Sequence, residues 1–165
     1  MPYSMNQINQ MTQAEFVTAL GDVFEDTPAI AQDVWQQRPF KNVEDLHQRM
    51  VAIVQSWDQG PQLALVQAHP DLGSKAKMAA ASVKEQAGAG LDQLSAAEYE
   101  QFHQLNTAYR ERFGFPFIIA VKNHTKTSIL EAFCDRLHHT SAEELQQALQ
   151  EIAQIAYFRL CDRVV

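Results

Sequence analysis

The chain has 165 residues, a length that favours one domain over two. Apolar residues make up 46% of it, ample material for a buried core. Against 20 acidic residues stand only 13 basic ones, a net charge of −7, which argues against a nucleic-acid or anionic-membrane partner, since both need clustered Lys and Arg. Lys75, Lys77 and Lys84 come nearest to a basic cluster, and a solvated helix face explains them equally well.

The first residues, Met1 to Met11, are polar and carry neither a basic n-region nor an apolar h-region, so no secretory signal is expected there. No apolar run approaches the roughly 20 residues that span a bilayer. Cys134 and Cys161 form no CxxC pair and are read as reduced core thiols of a cytoplasmic protein. Residues 1–10 are expected to be loosely ordered.

The pattern is helical almost throughout. Thr12-Gln13-Ala14-Glu15 is a capping box, in which the Thr hydroxyl and the Glu carboxylate satisfy free amides, and it opens a helix carrying Phe16, Leu20 and Phe24. A short helix fits Pro28 to Gln37 and stops at Arg38-Pro39. Asn42 can cap the next, with Leu46, Met50, Ile53 and Trp57 at helical spacing. Gly60-Pro61 begins a fourth, which ends at His69 because a residue before proline is pushed out of the α region. A helix holding Lys84, Glu85 and Gln86 breaks at Ala87-Gly88-Ala89-Gly90. Ser95-Ala96-Ala97-Glu98, another capping box, launches a helix that Gly114 stops. Ser128 to Leu137 is helical, and Thr140 to Glu144 starts a long last helix that reaches about Asp162.

Phe113 to Val121 is an apolar run broken by Gly114 and Pro116. Alone it would be a buried strand, but no partner strand is visible, so it is read as an extended segment between helices. Its amides and carbonyls need partners: neighbouring side chains, water or a bound ligand. The fold expected is all-α, a single-domain bundle of about seven to nine helices with one extended apolar segment.

No dinucleotide fingerprint, P-loop, HExxH or GxSxG elbow occurs. His138-His139 point different ways on a helix and make a poor chelate, and no familiar zinc spacing is found. General acid–base chemistry is then the natural option for an enzyme. His69, in Ala68-His69-Pro70-Asp71-Leu72-Gly73, lies where an apolar helix gives way to a turn. An imidazole held there can exchange a proton near neutral pH, or simply cap the turn. The other five histidines look incidental. Ser82, Glu85 and Gln86, at i, i+3 and i+4, share a helix face, either a polar ligand-reading face or an ordinary solvated one. Arg159 continues the inward stripe of Leu145, Ala148 or Leu149, Ile152 and Ile155 or Ala156. It either meets an anionic partner or snorkels near the helix C-terminus. Asn106, on the stripe of the Ser95 helix, reads as a buried structural amide.

Taken together these residues resemble a known family, the 2-oxo-4-hydroxy-4-carboxy-5-ureidoimidazoline (OHCU) decarboxylases of the urate-to-allantoin route. The matching pieces are Trp35 with Arg38-Pro39-Phe40, then Ala68 to Gly73, then Ser82 with Glu85-Gln86 and Ala89-Gly90-Leu91. They continue with Asn106, Tyr109, Phe113 to Ile119, and Arg159-Leu160. Each is weak alone; their shared order over more than a hundred residues is specific. One departure is the short stretch from Gly73 to Ser82, which bears on the loop between His69 and Glu85.

The resemblance implies an all-α homodimer that needs no cofactor and releases CO2 to give (S)-allantoin, and the motifs the sequence lacks leave no metal expected either. It puts the catalytic His on His69 and the catalytic Glu on Glu85. Substrate contacts fall on Pro70, Ser82, Gln86 and Arg159, and on the backbone around Phe117 and Ile118. The substrate would be a small ureidoimidazoline, with no nucleic acid or membrane as partner. The competing readings are a metal-independent hydrolase or lyase acting on another ureide or hydantoin, a non-catalytic helical interaction module, and zinc binding through the histidines.

Overall fold

The computed structural model describes residues 1–74 and 78–165. Lys75 and Lys77 of the basic trio, and with them the middle of the short Gly73–Ser82 stretch, lie outside the described residues.

Among the described residues there are nine α-helices: α1 (Met5–Gln10), α2 (Gln13–Leu20), α3 (Ala29–Val34), α4 (Val43–Ser56), α5 (Gln59–Gln67), α6 (Ala80–Gly88), α7 (Ala96–Phe113), α8 (Lys126–Arg136) and α9 (Ser141–Arg163). Short 3-10 turns occupy Trp35–Gln37 and Val121–Asn123. The only β-type pairing among the described residues is an isolated parallel bridge between Tyr3 and Val164.

The local signals explain most boundaries. Thr12 and Ser95 form the capping boxes expected of them, each hydroxyl accepting from the N3 amide of Glu15 or Glu98. The backbone N–H of Thr12 and of Ser95 in turn holds each glutamate carboxyl below its usual pKa. Asn42 accepts from the Asp45 amide at the head of α4. Gly114 closes α7 with φ +80°, the left-handed cap that glycine adopts without Cβ strain. Two starts come earlier than expected: α5 begins at Gln59 after Asp58, and α8 begins at Lys126 because Thr125 supplies its cap.

The chain divides into two compact units, residues 1–68 with 153–165, and residues 69–152. In the first, α2 packs on α3 and α3 on α4. Phe16, Leu20, Ile30, Val34, Leu46 and Met50 are among its buried residues, joined by Ala156 and Leu160 of α9. Residues 5–10, within the segment expected to be loose, form a helix with Ile8 fully buried. The reason lies in the Trp35–Phe40 block. Arg38 lies 4.0 Å over the Trp35 ring and donates from Nη1 to the carbonyls of Asn9 and Met11. Asn9 exchanges two hydrogen bonds with the Phe40 backbone, at 2.9 and 2.8 Å.

The second unit packs α7 on α8 around Phe102, Tyr109, Phe117, Ile129 and Phe133. Phe117 and Phe133 stack with centroids 3.7 Å apart, and Tyr109 meets Phe117 edge-on at 5.3 Å. Residues 115–120 run extended and buried, with no strand beside them among the described residues. Cys134 and Cys161 are free but exposed, not core residues: each sits on the outward side of its helix. No described helix is long and apolar enough to cross a membrane.

Candidate functional site

The turn after α5 is fixed from outside, by side chains of α6 and α7. His69 is the first residue of the second unit and is only 6% exposed. Pro70 beside it is half-buried. Residues 71–73 take the contacts that hold the turn. Gln86 accepts from the Gly73 N–H at 3.0 Å and donates to the Asp71 carbonyl at 3.3 Å. Asn106 donates to the Leu72 carbonyl at 2.8 Å, and Arg110 bridges the Asp71 carboxylate at 2.8 Å. Gly73 takes φ +66°, a left-handed conformation that glycine adopts without Cβ strain and that any other side chain would take at a cost. The imidazole therefore stands on a turn whose conformation is over-determined.

Helix α6 presents the expected face. Ser82 and Gln86 are buried and Glu85 is half-buried between them. The Gln86 bonds lay this helix against the 71–73 loop, and α6 also contacts the 3-10 turn Val121–Asn123 that ends the extended segment. Phe117 and Ile118 are both buried in that segment. Seven of the eight residues singled out from the sequence, all but Arg159, thus belong to the second unit. Asn106 is the buried amide expected, but it is half-used: its Oδ1 is buried with no partner among the described residues.

Arg159 belongs to the first unit, and its anionic partner is in the chain. It is 4% exposed and pairs with the Glu25 carboxylate at 2.8 Å. It also donates to the carbonyls of Asp22 and Val23 at 3.3 and 3.4 Å. The buried stripe of α9 leading to it is Leu145, Ala148, Ile152 and Ala156.

A second buried charge cluster was not expected. Glu144, fully buried, accepts from the Tyr109 hydroxyl at 2.5 Å and from Arg136 Nε at 2.8 Å, and lies 2.8 Å from His139 Nδ1. Glu144 reads as a helix-start residue, yet it stands four residues before Ala148 on the very stripe that marks Arg159, so the signal was present. His139 is correspondingly not incidental, and it lies in the turn after α8, not on a helix. Burial, reinforced by the hydrogen bond to Glu144, raises the Tyr109 phenol well above its ordinary pKa near 10. The folded state thus favours the neutral phenol. The stability this contributes is present below pH 10 and is lost as pH rises beyond it toward the raised folded value. Denaturant unfolding is expected to show stability falling above about pH 10. Tyr109→Phe should have the shallower slope there; parallel wild-type and variant curves would refute it.

Among the described residues no group of three or more His, Cys, Asp or Glu side chains could hold a metal ion. The chemistry on offer is that of imidazole, carboxylate, hydroxyl, amide and backbone. Fold and site together define a helical protein with a buried histidine beside a turn held by side chains of two helices. More particularly, the chain belongs to the OHCU decarboxylase family, whose sequence model matches residues 9–161. It is 45% identical over 157 residues to the 2-oxo-4-hydroxy-4-carboxy-5-ureidoimidazoline decarboxylase of Halalkalicoccus jeotgali, covering 95% of this chain and 89% of the relative. It is 46% identical over 160 residues to the uric acid degradation bifunctional protein PucL of Bacillus subtilis, covering 97% of this chain but 32% of that protein. Among solved structures, a crystal structure of (S)-allantoin synthase superposes with a TM-score of 0.80 at 30% identity, over 98% of this chain and 54% of that one.

Proposed function

We infer that the protein is a cofactor-independent carboxy-lyase that converts 2-oxo-4-hydroxy-4-carboxy-5-ureidoimidazoline to (S)-allantoin in urate breakdown, as a single domain over residues 1–165, a homodimer and a cytoplasmic enzyme. The observation that carries this reading is the family match together with a buried His69 on a clamped turn bonded to the helix that holds Ser82, Glu85 and Gln86.

The substrate supplies its own electron sink. When the bond from the ring carbon to the carboxylate breaks, its electron pair forms a double bond to the ureido-bearing carbon, the imine pair moves onto the ring nitrogen, which takes up a proton, and CO2 leaves. The resulting enol then gives up its hydroxyl proton to become a carbonyl. A proton is delivered to the ureido-bearing carbon, on one face only. His69 is the acid–base group for these transfers, and Glu85 orients it or shares its proton. Arg159, with its planar fork, holds an anionic or carbonyl oxygen. Ser82 and Gln86 read the ureido and ring amides, and Pro70 with the backbone at Phe117 and Ile118 completes the contacts.

The test is CO2 release and optical rotation of the product with freshly generated substrate, run against a panel of ureides and hydantoins. Stereospecific (S)-allantoin formation supports the reading; turnover confined to another ureide overturns it. Glu85→Gln keeps the shape of the side chain and removes its basicity. It is expected to lower kcat by about 10²-fold, while (S)-allantoin affinity, read by calorimetry, changes little. Wild-type kcat in that variant would remove Glu85 from proton handling.

A further inference from the structure

The extended segment 115–120 has a backbone problem that one side chain partly solves. Arg136, in the last turn of α8 and 6% exposed, donates from Nη1 to the Ile118 carbonyl at 2.6 Å. Its guanidinium lies 4.2 Å from the centroid of the Phe117 ring, whose other neighbour in the stack is Phe133 at 3.7 Å. Among the described residues, no hydrogen bond engages the Phe117 carbonyl or the N–H groups of Ile118 and Ile119.

We propose that Arg136 is a positioning residue: it locks the Phe117–Ile119 backbone so that the Ile118 carbonyl is consumed within the protein and the Phe117 carbonyl and the neighbouring N–H groups are left to the substrate. The physical reason is peptide planarity. The Ile118 carbonyl and the Ile119 N–H belong to one planar trans unit and point opposite ways, so anchoring one aims the other. The Phe117 ring, held by the guanidinium and by Phe133, fixes the preceding peptide.

An ion pair is a costly way to fill a core. A buried Arg–Glu pair contributes little net stability against apolar residues of the same volume. What apolar residues do not provide is the donor to Ile118. Glu144, bound to Arg136 Nε at 2.8 Å, then sets the rotation of the guanidinium and so the direction of Nη1. The inference rests on the reading of Phe117 and Ile118 as substrate contacts.

The test uses Arg136→Lys, which keeps the charge but not the planar fork, and the double variant Arg136→Met with Glu144→Leu, which removes the ion pair without leaving a lone buried charge. Amide hydrogen exchange by NMR is measured first, in the absence of any ligand. The amides of Ile118 and Ile119 are expected to exchange about tenfold faster relative to those of α7 in the same variant, the scale of one lost charged hydrogen bond. With substrate, KM is expected to rise about tenfold while the pH profile of kcat keeps its shape, since the proton-carrying groups are untouched. A folded variant with wild-type exchange at these amides, or with faster exchange but unchanged KM, overturns the proposal. If the wild-type protein releases no CO2, the decarboxylase reading fails, and the exchange measurement alone decides whether Arg136 positions the segment.

Discussion

Replacing His69 with alanine is expected to lower stereospecific CO2 release by about 10²–10⁴-fold, the usual contribution of a positioned acid–base group. The fold should survive. The loop after His69 is held by Gln86, Asn106 and Arg110, and their bonds to residues 71–73 do not pass through the imidazole. Circular dichroism and Tm of the variant therefore serve as controls. The optical purity of the allantoin formed is the sharper readout, because protonation without a protein donor has no facial preference. Near-normal turnover with one product hand would refute the role of His69.

The second large effect is on stability. Glu25→Ala removes the carboxylate that pairs with the buried Arg159 guanidinium at 2.8 Å. Removing one partner of a buried ion pair costs about 3–5 kcal/mol. For a chain of this size that lowers Tm on the order of 10 °C. Replacing both residues with apolar ones, Glu25→Leu with Arg159→Met, should recover most of the loss, because no lone charge remains. The double variant also separates two roles of Arg159. If the guanidinium binds substrate, the recovered protein stays poor at binding (S)-allantoin; full affinity would assign Arg159 to structure alone. An unchanged Tm in Glu25→Ala would show that the pair does not matter to folding.

Much of the helical framework was legible because its signals are local. Thr12-Glu15, Asn42 and Ser95-Glu98 satisfy amides within one turn, and Gly114 needs only its own φ. The site was legible residue by residue for the same reason: Ser82, Glu85 and Gln86 share a face by spacing, and Pro70 ends the helix before His69. What escaped was set by distant sequence. Glu25 lies in an irregular stretch and finds its partner 134 positions later, and nothing around Gly21 to Thr27 marks it as buried. Residues 5–10 are mostly polar, and their order comes from contacts made by distant residues, Arg38 and Phe40, and from the burial of Ile8. The cysteines went the other way: thiols are commonly buried, but these two fall on outward faces.

Gln86 and Arg159 carry a shared lesson about reading a site from residue types. Both were expected to touch a ligand, and both are engaged by the protein, Gln86 with loop backbone and Arg159 with Glu25. A side chain tethered in this way loses little rotamer freedom when a ligand arrives, so the ordering cost falls on folding and not on binding.

The bridge between Tyr3 and Val164 has a practical meaning for anyone building with this protein. Tyr3 donates to the Arg163 carbonyl at 2.7 Å and Val165 donates to the Tyr3 carbonyl at 2.8 Å, so the two ends of the chain leave from one spot. A tag or second module attached at either end emerges at the same place. A linker of a few residues would join the ends into a ring, and the chain could then be reopened at an exposed loop elsewhere, giving a permuted protein with its helices in a new order.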